Sequence, residues 1–267
     1  MTVLRASNVS RVFRTYPLIG PARARRALQG VSLAIGAGET VGLVGRSGCG
    51  KSTLARLLTG LEPPDDGEVW FRGRPLGAFR RDDWLGLRRA VQMVFQDAAE
   101  AVDPRATVGE IVGEPLRNLL RLGRAAARER VARLLELVGL QAADAGRRPG
   151  QLSGGQLQRV CIARALAPQP ELVILDEAVA SLDLGLQLQM LELFARIQRE
   201  QGVSWLFITH DLRLAARFCS RVLVMQAGRI VEEAPARPHL RLTSPEGAAL
   251  AAAVLPPFPA RAIDRPT

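Results

Sequence analysis

Gly45-Arg46-Ser47-Gly48-Cys49-Gly50-Lys51-Ser52 fits the spacing G-x-x-x-x-G-K-[ST], with the apolar run VGLV before it and the helical pattern STLARLLTG after it. Glycines at these positions let backbone N–H groups turn inward around a phosphate chain, and the start of the next helix adds partial positive charge. In that setting the Lys51 ammonium reaches β and γ phosphates, and the Ser52 hydroxyl holds Mg²⁺. Lys51 is the only lysine in the chain; every other residue in the Lys plus Arg total of 36 is arginine. The single compact ammonium thus stands where a planar guanidinium would not fit between phosphates. Gly45, Arg46, Ser47, Gly48, Cys49, Gly50, Lys51, Ser52 and Thr53 form the expected phosphate cradle.

Two further groups could act on the same phosphates. The run LVILD-E closes a strand pattern with Asp176 and Glu177, and a buried strand ending in two carboxylates is costly unless they act on something charged. Alone, such a pair could simply be solvated. With a phosphate loop upstream, Asp176 reads as a Mg²⁺ ligand, direct or through water, and Glu177 as the group that polarises an attacking water. Leu152-Ser153-Gly154-Gly155-Gln156, followed by LQRVCIARAL, is a Gly-rich turn opening a helix and so a second anion-binding device. Two phosphate devices on one chain suggest one nucleotide held between two chains.

The elements that must position these groups show in the apolar pattern. VSLAI (31–35), VGLVG (41–45), EVWF (68–71), VQMVF (91–95), LVILD (172–176), WLFIT (205–209) and VLVM (222–225) are short runs, several without polar alternation. Runs of that kind are buried strands of a mainly parallel sheet covered by helices, an α/β fold. From Asp97 to about Gln156 helical periodicity takes over, with Val131, Leu134, Leu135 and Val138 on one face, as expected of a helical insertion. The chain from about Pro235 is rich in Ala and Pro and reads as a loosely packed tail. We therefore expect one α/β domain over 1–235, with the insertion at about 97–156, and a short tail over 236–267.

Composition narrows the class. At 267 residues, 48% apolar and 23% charged, the chain can bury a proper core, which excludes disorder as its main state. The net charge of +10 invites an acidic partner, but the arginines are scattered in short clusters such as Arg80, Arg81, Arg88 and Arg89, so a solvated basic surface is the simpler reading. Cys49, Cys161 and Cys219 are odd in number and far apart, which argues against a disulfide framework. No run of eighteen apolar residues occurs, so the chain is not expected to span a membrane by itself.

LSGGQ, placed between the phosphate loop and LVILDE and followed by a later histidine, resembles the ATP-binding cassette ATPases over residues 3 to about 232. The resemblance implies a P-loop NTPase fold with an N-terminal antiparallel β subdomain and a helical subdomain, and ATP with Mg²⁺ as ligands. It implies that Gln96 senses Mg²⁺ and the attacking water, that His210 contacts the γ phosphate, and that Asp183 communicates across a dimer. It further implies that Ser153, Gly154, Gly155 and Gln156 meet the partner's nucleotide, and that Phe13 stacks on adenine, with Tyr16 a second candidate. FQDAAEAVDPRATVGEIVGEPL (95–116), with Asp103-Pro104 and Glu114-Pro115-Leu116, is similar to the peptide and nickel importer branch of that family. Glu177-Ala178-Val179, in place of Glu-Pro-Thr, and the absence of cysteine after Cys219 favour nickel over peptide within it.

The implied protein is an ATPase subunit on the cytoplasmic face of the inner membrane. Its partners would be a second cassette, two permease subunits and, indirectly, an extracytoplasmic binding protein, with no nucleic acid expected. A non-transport cassette ATPase acting on nucleic acid or ribosomes fits less well, because such chains commonly carry two cassettes or a long coiled-coil insertion. The chain itself is not expected to bind nickel, since its histidines are only His210 and His239 and its cysteines are dispersed. Lys51→Arg should weaken nucleotide binding almost as much as Lys51→Ala, by about tenfold or more, in a calorimetric titration, because the loss is of a point charge in a tight cradle.

Overall fold

A computed structural model describes residues 1–15, 23–180, 182–236 and 240–253. The strands are β1 (Thr2–Thr15), β2 (Arg23–Gly36), β3 (Thr40–Val44), β4 (Asp66–Phe71), β5 (Arg74–Pro75), β6 (Val91–Val94), β7 (Leu172–Asp176), β8 (Ser204–Thr209), β9 (Arg221–Gln226) and β10 (Arg229–Pro235). The α-helices are α1 (Lys51–Leu58), α2 (Arg81–Ala90), α3 (Val108–Asn118), α4 (Arg124–Leu137), α5 (Gly154–Leu166), α6 (Leu184–Gln201), α7 (Leu212–Phe218) and α8 (Pro245–Ala252). The apolar runs all fall in strands. Outside them lie β5, two residues long, and β1 and β10, where polar residues interrupt the apolar ones and leave no continuous run.

The strands form two sheets. One is antiparallel, in the order β2-β1-β4-β5; the other has the order β10-β9-β3-β8-β7-β6 and is parallel except for β10. Because side chains alternate across a strand, the central strands feed two cores at once. Trp205, Phe207, Val173, Leu175, Val222 and Val224 enter one core, shared with α3 to α7. Leu206, Ile208, Leu172, Ile174, Leu223 and Met225 enter the other, closed by α1, α2 and the antiparallel sheet. Burial on both faces is why these strands lack polar alternation.

Sheet order decides what meets at the carboxyl edge. Val44 pairs with Thr209, Asp176 with Ile208, and Val94 with Leu175. The phosphate loop, His210, the Asp176-Glu177 pair and Gln96 therefore leave four adjacent parallel strands on the same side, the usual place for a ligand in such sheets. Between β6 and β7 lie α3, α4, two short 3₁₀ turns (Ala142–Gly146 and Pro149–Gln151) and α5. In α4, Ala127, Val131, Leu134 and Leu135 are buried, as the periodicity requires.

The end of the described chain differs from the loose tail expected of it. Ala236 is buried, and Leu240, Leu242 and Leu250 pack against the core shared with α3 to α7. Glu232 on β10 accepts hydrogen bonds from the N–H and hydroxyl of both Thr243 and Ser244. Ser244 in turn caps α8 by accepting from Gly247 N–H at 3.0 Å. Eight Ala-rich residues carry no strong amphipathic pattern, so this helix depends on its cap and on long-range contacts. Desolvation pulls the Glu232 carboxyl up, but the Ser244 and Thr243 donors outweigh it and hold the group below its ordinary value. The clamp is thus complete at neutral pH and is lost as pH falls through that lowered pKa. Glu232→Ala should raise amide hydrogen exchange across residues 244–252 by about tenfold at neutral pH, leaving the central sheet protected.

Candidate functional site

The phosphate loop is shaped mostly by what lies behind it. Gly50, at φ 116°, precedes α1 and offers no capping side chain, and the first turn of α1 has no acid. The helix amides are therefore left for an external anion. A Cβ at Gly50 would lie 2.4 Å from the Ala27 carbonyl, and one at Gly45 would lie 2.3 Å from that of Met225, so only glycine fits either place. Lys51 is buried, and its Nζ donates to the carbonyls of Gly45 at 2.7 Å and Arg46 at 3.1 Å. Arg25 donates to the Gly48 carbonyl at 2.9 Å, and Gly228 N–H to that of Cys49 at 2.9 Å. Four loop carbonyls are thus held by donors, which commits them away from an anion in the cradle.

Asp176 is buried at the end of β7, and its Oδ1 has no hydrogen-bond partner among the described residues. Burial raises its pKa above the ordinary carboxyl value and the neighbouring Glu177 adds to the rise, while a hydrogen bond from Ser52 opposes it. An orphaned carboxylate oxygen beside a hydroxyl is the donor set of a hard divalent cation such as Mg²⁺. Glu177 follows with φ 50°, left-handed for a non-glycine residue, and its N–H donates to the Ile208 carbonyl at 3.0 Å. Its Oε2 lies 3.5 Å from Nδ1 of His210. Backbone strain of this kind, about 1 to 3 kcal/mol, persists where surrounding structure imposes it.

An open cleft of about 920 Å³ is lined by Ser52, Gln96, Asp176, Glu177, His210 and Gly154, among others. A smaller cavity of about 390 Å³ shares Ser52, Arg56, Gln96 and Glu177 with it and adds Phe13, Arg25, Ser47, Gly48, Gly50, Lys51 and Thr53, among others. Phe13 faces Arg25 across the β1–β2 pair, and the Arg11 guanidinium lies 5.3 Å over its ring. Tyr16, the second candidate for stacking, lies outside the described residues.

The LSGGQ turn is built differently from the phosphate loop. Ser153 caps α5 through Gln156 N–H at 3.3 Å, and Gln156 Oε1 accepts from Ser153 N–H at 2.9 Å, a reciprocal capping box. Ser153 and Gly154 are exposed, and a Cβ on Gly154 would meet nothing within 4 Å. Gly154 reaches the rim of the large cleft, but the smaller cavity around Lys51 includes none of residues 153–156. Asp183 caps α6 through Leu186 N–H at 2.9 Å, and the next residue, Leu184, is 64% exposed.

Sequence reading missed the side chains that hold Gln96 in place. Gln158, Cys161 and Arg164, three apart on α5, donate to the carbonyls of Phe95 (3.3 Å), Ala98 (3.9 Å) and Arg164's partner Ala101 (2.7 Å). Their spacing puts them on one helix face, yet nothing local says that a segment 63 residues upstream runs alongside. Arg25 was also missed, because its contact with Gly48 exists only once β2 lies against the loop.

Comparisons with known proteins bear on this geometry. A family model described as "ABC transporter" matches residues 28–180. A protein of Rhodospirillum rubrum called "Nickel import ATP-binding protein NikE" is 55% identical, over 97% of this chain and 94% of its own length. Proteins of the same name from Escherichia coli O6:K15:H31 and Brucella suis are 51% and 49% identical, over 98% and 99% of this chain. Among solved structures, the dimeric post-hydrolysis state of the ATP-binding cassette MJ0796 bound to ADP and Pi matches with a TM-score of 0.80 and 30% identity, over 88% of this chain and 99% of that one. CbiO1 of Clostridium perfringens, part of the ABC transporter complex cbiONQ, matches at 0.73 and 28% identity, over 88% of this chain and 89% of its own. With both phosphate devices in the expected elements and half of the sequence shared with such relatives along nearly its whole length, the chain belongs to the ATP-binding proteins of the ABC transporter family.

Proposed function

We propose that this chain is the ATP-hydrolysing subunit of an importer, and that the imported substrate is nickel. The observation that carries the hydrolytic part is Oδ1 of buried Asp176, without a hydrogen-bond partner among the described residues, beside Ser52 and next to Glu177 and the loop closed by Lys51. Nickel rests on the near full-length relatives that bear its name. We read residues 1–235 as the ATPase domain with its helical insertion at about 97–156, and the segment after it as an addition.

In this mechanism the amides of residues 45–52 and the Lys51 ammonium cradle the β and γ phosphates. Ser52, Asp176 and Gln96 are the residues that would hold Mg²⁺, which when bound neutralises charge on the β and γ oxygens. Glu177 accepts a proton from the attacking water as its oxygen bonds to the γ phosphorus. The bond from that phosphorus to the bridging oxygen breaks, and ADP departs with the electron pair. His210, 3.5 Å from Glu177, stands beside the carboxylate and in this reading would contact the γ phosphate. Phe13 stacks on the adenine.

A second cassette completes each site by presenting Ser153, Gly154, Gly155 and Gln156 to the opposite nucleotide. Exposed Gly154, exposed Leu184 beside Asp183, and the dimeric form of the MJ0796 relative support that arrangement. No helix among the described residues is long and apolar enough to cross a membrane. Two permease subunits would therefore carry the pathway, with this chain peripheral on their cytoplasmic side and an extracytoplasmic binding protein delivering the metal. Among the described residues no three His, Cys, Asp or Glu side chains are grouped as a metal site; in this reading, selection of nickel belongs to those other components.

Glu177→Gln should leave MgATP binding intact and lower hydrolysis by about 10²- to 10⁴-fold in the assembled transporter, because only proton acceptance is removed. ATP-loaded dimers should then accumulate on size exclusion, and ATP-driven nickel uptake into vesicles should stop. Hydrolysis at the parent rate would remove Glu177 from its role. Uptake of a peptide in place of nickel would reassign the substrate.

A further inference from the structure

We infer that α8 belongs to the nucleotide site, with Glu246 a positioning residue that acts on the phosphate loop through Arg46. This rests on the reading that the loop binds ATP, and it concerns a segment beyond the residues matched by the family model, 28–180. Glu246 is 5% exposed, deep for a carboxylate at the first turn of a short helix. Its Oε1 lies 3.1 Å from Nε of Arg46, and its Oε2 accepts from Nε2 of Gln226 at 3.0 Å. A buried carboxylate is tolerated only when both oxygens are engaged, and here the two partners are the loop's own side chain and the strand behind the loop.

Those two partners lead to the same backbone. Gln226 ends β9, and two residues later Gly228 N–H donates to the Cys49 carbonyl at 2.9 Å. Arg46 is the second residue of the loop, and its own carbonyl accepts from Lys51 Nζ at 3.1 Å and from Cys49 N–H at 3.2 Å. The Arg46 side chain is otherwise 70% exposed, so the carboxylate is the group that restricts it. Holding the second residue of the loop in advance lowers the entropy still to be lost when the loop amides order around phosphate. Glu246 lines neither the large cleft nor the smaller cavity around Lys51, so its effect falls on nucleotide affinity and not on the chemical step. Glu232 fixes the start of the same helix through Thr243 and Ser244, which makes the C-terminal segment a brace running from the sheet edge to the loop.

The test is a double-variant cycle on the full-length chain, with MgATP affinity measured by calorimetry and steady-state hydrolysis measured in the assembled transporter. Arg46→Ala and Glu246→Gln should each weaken MgATP binding by about three- to tenfold, as expected for a charge pair held on its buried side. The double variant should be no weaker than the worse single variant by more than about twofold, because both changes remove the same restraint. KM for ATP should rise with kcat held within about twofold, the signature of lost ground-state binding. Parent affinity in Glu246→Gln, losses that multiply in the double variant, or a fall in kcat at unchanged KM would each overturn the proposal. Should the charge change unfold α8, seen as loss of exchange protection over 245–252, the exposed Arg46→Ala decides alone, and parent affinity in that variant overturns it. Failure of the parent chain itself to bind MgATP would instead overturn the reading of the loop.

Discussion

The phosphate loop has to reverse the ordinary orientation of a turn, so that its amides converge on one point while its carbonyls face elsewhere. Everything packed behind residues 45–50 serves that orientation. Lys51 takes the carbonyls of Gly45 and Arg46, Arg25 takes Gly48, and Gly228 takes Cys49. Each of these donors comes from a different place: the start of α1, the antiparallel sheet, and the β9–β10 turn. The two glycines that approach Met225 and Ala27 most closely are what let the loop sit so near that backing. Preorganised dipoles of this kind act on charge without reorganising at the moment of reaction.

The same orientation explains why the acids at the end of β7 are tolerated. Asp176 is buried with one oxygen unpartnered among the described residues and Glu177 sits beside it, an arrangement that destabilises the charged form of the Asp176 carboxyl. Such a pair is stabilised by positive charge, and the neighbouring elements offer places for it: Ser52 at the start of α1 and the cradle around Lys51. The left-handed backbone at Glu177 is held by its N–H bond to Ile208 on the adjacent strand, so the side chain's placement is set by the sheet and not by the loop that follows. Function and local instability are thus concentrated at one edge, while the two cores on either face of the sheet hold that edge in place.

A second theme is that the helical insertion is tied to the sheet at one seam. Gln158, Cys161 and Arg164 engage successive carbonyls of the segment that carries Gln96, while the other end of the same helix presents Ser153 and Gly154 to solvent. One rigid helix therefore connects the surface expected to meet a partner with the residue expected to sense the chain's own ligand. Such a helix transmits displacement because packed side chains resist compression.

Much of this protein is legible in its sequence alone. The cradle, the LSGGQ turn, the acid pair and the seven apolar strands are each written within about ten residues, where glycine freedom, helix starts and unbroken burial leave direct marks on the sequence. The antiparallel strands β1 and β10 are less visible, because apolar residues interrupted by polar ones resemble loop composition. What only the tertiary structure decided is adjacency. That β8 lies between β3 and β7, that α5 runs along the Gln96 segment, and that Glu246 reaches Arg46 across most of the chain are long-range pairings. The C-terminal segment shows the reason most plainly. Its Ala and Pro content predicts little order, yet Glu232, Ser244 and Glu246 supply fixed partners that no local pattern reveals, because a hydrogen bond depends on where two groups lie in space and not on how far apart they stand in the chain.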